Sequence, residues 1–410
     1  MRNNLLKKEL VWTIIVIFIG VAIAPSINTT SLSVSNYLND EIPIKPFYIR
    51  HRQIVINGNN DLKLRNGVVR GTGTKENPYI ISGWKFDGTF YYNLDVLSSG
   101  YPLLILFFYI FFGITEAAIT IRNTDKYIII RNNYFVNWRE PTPPPNPYGP
   151  DDLPNHRAID LVNTKNIVIE NNIISECNEG IWVYSSTSST IIRNNIFSSI
   201  SGGWKTVQIS GGDTLIEHND FQDIDMDVSC IHFLFAGNNI MINNNSIKNS
   251  DGYTIIGENG LIENNILDNC DIAIKVGNSI VRNNLVKSST IGIASFAPNS
   301  ISHNELISNN VGVGCYWPSH VLTITDNIIQ GNNWGIFCIE DMHPSVHNNN
   351  IYENGVGFKY NGGSAINATL NWWGAANGPS GYGPGDGDAV DDDIIYEPWL
   401  SSPNPDAGRQ

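Results

Sequence analysis

The sequence predicts an all-β chain wound as a right-handed parallel β-helix of about ten to twelve coils, with a cap at each end. Three observations carry this expectation. A phrase of the form apolar, polar, Asn, Asn, any, apolar recurs from IIRNNYF (129–135) to SVHNNNI (345–351). Its period drifts around 22 residues, which is a solenoid signal. Between the phrases, Ile and Val alternate with polar residues in runs of four or five, and period two means strand rather than helix.

Taken in chain order, the first segment reads as an export signal. Arg2, Lys7 and Lys8 form a positive start, Leu10 to Ala24 is apolar, and Ala22-Ile23-Ala24 before Pro25 resembles a cleavage site. Residues 1–24 are therefore a cleaved signal peptide or an uncleaved anchor, and 25–49 a linker. Either way the body lies outside the cytoplasm, secreted or attached to the outer face of the cell membrane. Residues 50–116 form an N-terminal cap and the first coils, interrupted by an apolar insertion at 101–114 that is too short to span a bilayer as a helix. That run is a plug under the cap, a membrane- or protein-contacting loop, or a disordered segment. Residues 117–373 are the repeats, with a Pro-rich insertion at 138–157. Residues 374–410 are the C-terminal cap and tail, where Asp386, Asp388, Asp391, Asp392 and Asp393 lack the order of a calcium loop and suit turns that close the open end.

Composition narrows the partners. The 410 residues carry 25 Lys and Arg against 39 Asp and Glu, a net charge of −14, with no basic stripe to neutralise phosphates. Nucleic acid is therefore excluded as a partner class. Cys177, Cys230, Cys270, Cys315 and Cys338 form no C-x-x-C motif, and an odd count argues against a full disulfide framework. Aligning NVGVGC (310–315) with NWGIFC (333–338) stacks Cys315 on Cys338 as buried thiols.

Three columns follow from aligning the repeats. The second Asn of each phrase gives a ladder: Asn133, Asn172, Asn195, Asn219, Asn245, Asn265, Asn284, Asn304, Asn327 and Asn349, with one further step reaching Asn371. Asn tolerates the left-handed backbone of a sharp corner, and stacked amides bond one another. The ladder is structural. Just before it runs an outward, self-neutralising column of Arg131, Glu170, Arg193, Glu217, Asn243, Glu263 and Arg282. The third column lies in the strand opening each coil and faces out: Asp160, Trp182, Gln208, His232, Ile256, Lys275, Ala294, Gly314, Phe337, Lys359.

These phrases resemble the right-handed β-helix proteins grouped as the carbohydrate-binding and sugar-hydrolase domain, which includes the copper-binding NosD family. The passages that carry the resemblance are GVVRGTGTKENPYIISGWKFDG (67–88), AIDLVNTKNIVIENNII (158–174), LNWWG (370–374) and GDGDAVDDDIIYEPWL (385–400). It covers roughly residues 50–400 and implies a pectate-lyase-like helix. It says little of activity, because that group spans enzymes, binding modules and surface proteins.

Asp160, Trp182, Gln208 and His232 are the candidate ligand-binding residues, an aromatic face and polar groups for a sugar, with both insertions entering beside them. The plain alternative is an ordinary polar sheet face with one incidental Trp. A lyase or glycoside hydrolase using the same cleft needs a base or paired carboxylates. On this face only Asp160 and Lys275 offer charge of the right kind, five rungs or about 24 Å apart. His156 and Arg157 could join Asp160 across the loop, so catalytic residues stay unassigned. For copper, His218 and His303 are four coils apart, and His343 and His347 lack a third partner. No metal or other cofactor is expected. The function expected is thus an extracellular or cell-surface β-helix that binds polysaccharide or glycoprotein glycans. A sugar-cleaving enzyme, a structural spacer and a copper-binding NosD-like protein are the alternatives.

Overall fold

Parallel strands recur because each coil has too few apolar residues to bury its own inward face and must stack on the next. The computed structural model describes residues 48–89, 117–139, 156–184, 187–225, 229–233, 239–316, 322–339 and 342–410. Residues 1–47 and the apolar run 101–114 lie outside these, as does most of the Pro-rich insertion. The linker ends sooner than expected, since Ile49–Arg50 is already a strand, paired with Trp84 and Lys85.

Three sheet faces surround one core. The first runs from Ile54–Asn57 through Ala117–Thr124, Glu179–Val183, Lys205–Ile209 and Ser229–Phe233 to Trp334–Ile339 and Val356–Asn361. The second runs from Tyr79–Ser82 to Ser345–His347, and the third from Trp84–Asp87 to Asn350–Tyr352. The long strand Arg157–Glu170 bends from the first face to the second, since its register passes from Glu179 to Arg193. Pairing within the faces is parallel, apart from the antiparallel entry pair Val68–Arg70 with Tyr79–Ser82. Steps of 23, 24, 26, 20, 19, 20, 23 and 22 residues connect Asn172 to Asn349, so about eight turns are regular. This is fewer than the coil count expected.

Inside, like stacks on like. Ile169, Ile192, Ile216, Ile242, Ile262, Val281, Ile301 and Ile324 are all fully buried in one line. Phe197 lies parallel to Phe221 with ring centroids 4.5 Å apart. Where the wall turns inward the position must be small: a Cβ on Gly312 would sit 2.5 Å from the Gly335 carbonyl oxygen. Cys315 pairs with Cys338 across one rung, and both are buried free thiols.

The corner chemistry differs from the expectation in one respect. Positive φ belongs to the residue before the ladder Asn: Asn132 (52°), Asn171 (54°), Asn194 (53°), His218 (54°) and Asn244 (54°). The ladder Asn that follows is buried and spends its amide on neighbouring coils. Asn172 Nδ2 donates to Asn195 Oδ1 at 3.0 Å, and the same link continues through Asn219 and on to Asn371. The two Asn of each phrase thus have separate tasks, which is why the first can be His or Asp and the second cannot. Outside the ladder, Glu170 meets Arg193 at 2.8 Å and Arg131 at 3.6 Å, and Glu263 meets Arg282 at 2.7 Å.

Candidate functional site

The first sheet face holds the third column in register. Thr120 pairs with Asp160, Asp160 with Trp182, Trp182 with Gln208, and Gln208 with His232. The column continues through Ile256, Lys275, Ala294, Gly314 and Phe337 to Lys359. Asp160 and Lys275 therefore stay five rungs apart, and Lys275 rests instead on the Tyr253 ring at 3.9 Å. Residues on either side of the column, such as Ile159, Leu161, Ile181 and Val183, point into the core and are fully buried.

The column is not an open strip, contrary to the sequence reading. Asp160, Gln208 and His232 are 4%, 8% and 7% exposed although they point away from the core. Trp182 is half-buried, and one face of its ring is taken: the Arg157 guanidinium carbon lies 3.8 Å from the ring centroid. A cation at that distance is held by the ring quadrupole, so a sugar cannot stack there. Tyr184 leans on the same indole at 5.7 Å, and Lys205 Nζ stands 5.6 Å from it.

Arg157 joins the column through a second row that sequence alignment passed over. Register sets Arg157 beside Glu179, and Glu179 sits one coil before Lys205. Arg157 Nε donates to Glu179 Oε2 at 2.8 Å, and Arg157 Nη1 lies 3.6 Å from Asp160 Oδ2. Glu179 Oε1 accepts the Trp204 amide at 3.2 Å. The signal was present: this position is Arg, Glu and Lys on three successive coils, whereas later coils put Ile272, Ile291 and Val311 there. His156 is buried and meets Trp138 edge-on at 6.2 Å.

Burial governs the electrostatics. It opposes charge on Arg157, but Asp160 and Glu179 outweigh it and hold the guanidinium above its ordinary value. Burial pushes the Glu179 carboxyl up, and Arg157 at 2.8 Å opposes that rise without cancelling it. Lys205 is lowered by burial, with Glu179 opposing. His232 is lowered to about 4, by burial first and by Lys205 second, and is neutral at pH 7.

What remains unsatisfied is informative. Among the described residues, Trp182 Nε1, Gln208 Oε1 and both ring nitrogens of His232 are buried without a hydrogen-bond partner, while Gln208 Nε2 donates to Ser210 Oγ at 2.9 Å. Leaving such atoms unpaired costs roughly 1–3 kcal/mol each, so a cluster on three adjacent rungs marks a place where something polar can enter.

Family models support the fold. A family model described as the right handed beta helix region matches residues 52–221, and one described as periplasmic copper-binding protein (NosD) matches 205–379. Among solved structures, the mannuronan C-5 epimerase AlgE6 A-module of Azotobacter vinelandii is 14% identical, covering 62% of this chain and 77% of its own, with a TM-score of 0.44. A hyperthermoactive exopolygalacturonase from Thermotoga maritima is 11% identical, covering 78% and 81%, with a TM-score of 0.33. No curated protein matches the chain in sequence. The copper in the second family's name finds no fitting donor set: among the described residues no three His, Cys, Asp or Glu side chains converge. The stacked thiols supply two donors only, and burial pushes Cys338 well above its usual range, away from the thiolate that a metal requires. Among the described residues no helix is long and apolar enough to cross a membrane.

Proposed function

We propose that this right-handed parallel β-helix protein is exported and binds polysaccharide at the Asp160, Trp182, Gln208 and His232 column, with Arg157, Glu179 and Lys205 as its second row. One observation carries the reading. Among the described residues, donors and acceptors on three adjacent rungs lack partners, at a repeat of about 4.8 Å that suits successive hydroxyls of a sugar chain. Recognition in this reading is by hydrogen bonding to hydroxyls, since Arg157 occupies the ring face on which stacking was expected.

The test uses the double variant Gln208→Ala and His232→Ala in the full chain. Affinity electrophoresis against a panel of polysaccharides should show binding weakened by about 30–150-fold, from two hydrogen-bonding groups of roughly 1–1.5 kcal/mol each. Melting temperature should hold or rise, because three of the four buried polar atoms that the variant removes have no partner among the described residues, and only the Gln208–Ser210 bond is lost. Binding equal to the parent, or a parent that binds no polysaccharide, would remove the proposal and leave the spacer reading.

Catalysis on the bound polymer is a second reading, favoured by Lys205, a cation lowered by burial, lying beside the Glu179 carboxylate. Release of reducing ends or of unsaturated sugars by the parent and not by Lys205→Met would establish it.

A further inference from the structure

We propose that the N-terminal cap is a docking face for an anionic lipid surface. The first observation is charge segregation. Residues 47–88 carry 7 Lys and Arg against 3 Asp and Glu, whereas residues 89–410 carry 14 against 33. A cationic end on an acidic body gives the molecule a strong dipole. An anionic surface attracts the cap and repels the rest, so approach is cap-first.

The second observation is what stands among those cations. Lys63, Arg65 and Arg70 are exposed and line one open depression of about 530 Å³ with Leu64, Val68 and Tyr79. None of the three makes a side-chain hydrogen bond or ion pair among the described residues, so their charge is not spent within the fold. Leu64 is 75% exposed, Ile49 55%, Val55 38% and Val69 38%, all within this cap. Leu62 and Val68 turn inward and close the core beneath them.

Exposed aliphatic tips interleaved with Lys and Arg suit the boundary between headgroups and acyl chains, where apolar atoms sink and cations stay at the phosphates. A soluble polyanion would use the cations and leave Leu64 in water, so lipid is the partner that uses both features. This inference is independent of the polysaccharide reading, which concerns other coils.

The experiment labels the full chain at Leu64→Cys with an environment-sensitive fluorophore. The five native cysteines are buried free thiols, so the label is site-specific. Phosphatidylglycerol vesicles should shift the emission to the blue, an effect that phosphatidylcholine vesicles do not give and that about 0.5 M salt removes. A label at Tyr382→Cys, on an exposed residue of the C-terminal turns, should not respond. Lys63→Gln, Arg65→Gln and Arg70→Gln together should weaken the phosphatidylglycerol response about 100-fold, at roughly fivefold per cation. Apolar attraction does not tell the two compositions apart, so the difference between them isolates the cationic cap. A Leu64 probe that is silent on both vesicles or responds equally to both overturns the proposal. So does one that responds to soluble polygalacturonate but not to phosphatidylglycerol.

Discussion

Asn219 shows how one side chain holds three coils. Its Nδ2 donates to the Ile192 carbonyl at 2.9 Å and to Asn245 Oδ1 at 3.0 Å, and its own Oδ1 accepts the amide of Asn195 at 2.9 Å and Asn195 Nδ2 at 3.0 Å. Removing it leaves donors and acceptors buried on both neighbours. Asn219→Ala should therefore lower unfolding free energy by about 3–5 kcal/mol, from two or three bonds lost without replacement. Arg193→Ala, on the half-exposed charge column, should cost less than about 1 kcal/mol. Equal losses in denaturant titrations would mean that the ladder is not what joins the coils. Backbone strain also lives at this scale: most left-handed corners are Asn, Ser, His or Asp, and Leu370 at φ 58° departs from that set. Its amide is held by the Pro398 carbonyl at 2.6 Å, so the C-terminal segment fixes a conformation that Leu does not favour.

A second amide ladder runs along the other corner. Ser289, Asn309, Asn332 and Asn354 are linked by the same backbone-to-side-chain bonds, and Asp388 ends the series, with Oδ2 accepting Asn354 N at 3.0 Å and Nδ2 at 2.7 Å. A carboxylate there answers the last donors without asking for another coil, which is how an open solenoid end is closed. Asp391 does the same for the last strand of the first face, accepting Tyr360 N at 2.8 Å and pairing with Lys359 at 3.0 Å. Beyond them the tail turns back over earlier corners, where Gly408 N donates to the Asp326 carbonyl and Arg409 to that of Asn283. Burial raises the Asp388 carboxyl above its ordinary value of 3.8 despite the Asn354 bonds. A folded-state value above the unfolded one favours the protonated fold. Its stabilising contribution is whole below about 3.8 and is lost as pH rises through the folded value. Asp388→Asn should thus raise the melting temperature at pH 7, and the gain should shrink towards pH 4. A gain that is constant with pH would place the effect elsewhere.

At the scale of the molecule, stability in a solenoid is a sum over neighbouring coils, so coils are separable units. The turn from Ile266 to Asn284 is 19 residues long, and Leu285 N already donates to the Asn265 carbonyl one coil below. Deleting 266–284 should bring the next turn down by one rung and leave a folded β-helix by circular dichroism. The melting temperature should fall by no more than several degrees, because one rung among many is lost. Deleting 266–275 should abolish the transition, since half a turn puts apolar residues on the outside. A folded half-turn deletion would show that the coil is not the unit.

Much of this was legible beforehand because a solenoid repeats its chemistry at a fixed interval. The ladder from Asn133 to Asn349, the charge column and the register of Asp160 with Trp182, Gln208 and His232 all follow from alignment alone. So does the stacking of Cys315 on Cys338. Contacts between coils are contacts between equivalent positions, so the sequence by itself determined the fold class and which residues are neighbours along the axis. Three things were decided only in three dimensions. The left-handed residue at each corner proved to be the one before the ladder Asn, because two adjacent Asn look alike in a string and differ only in φ. The open aromatic strip became a covered one with Arg157 lying on Trp182, because alternation says which way a side chain points and not what lies over it. Glu179 and Lys205 joined the site through side chains that reach across rungs, and reach is a property of rotamers rather than of spacing. Periodicity fixes the axis of this molecule; what gathers around the axis is fixed by packing, which depends on the shapes of all neighbours at once.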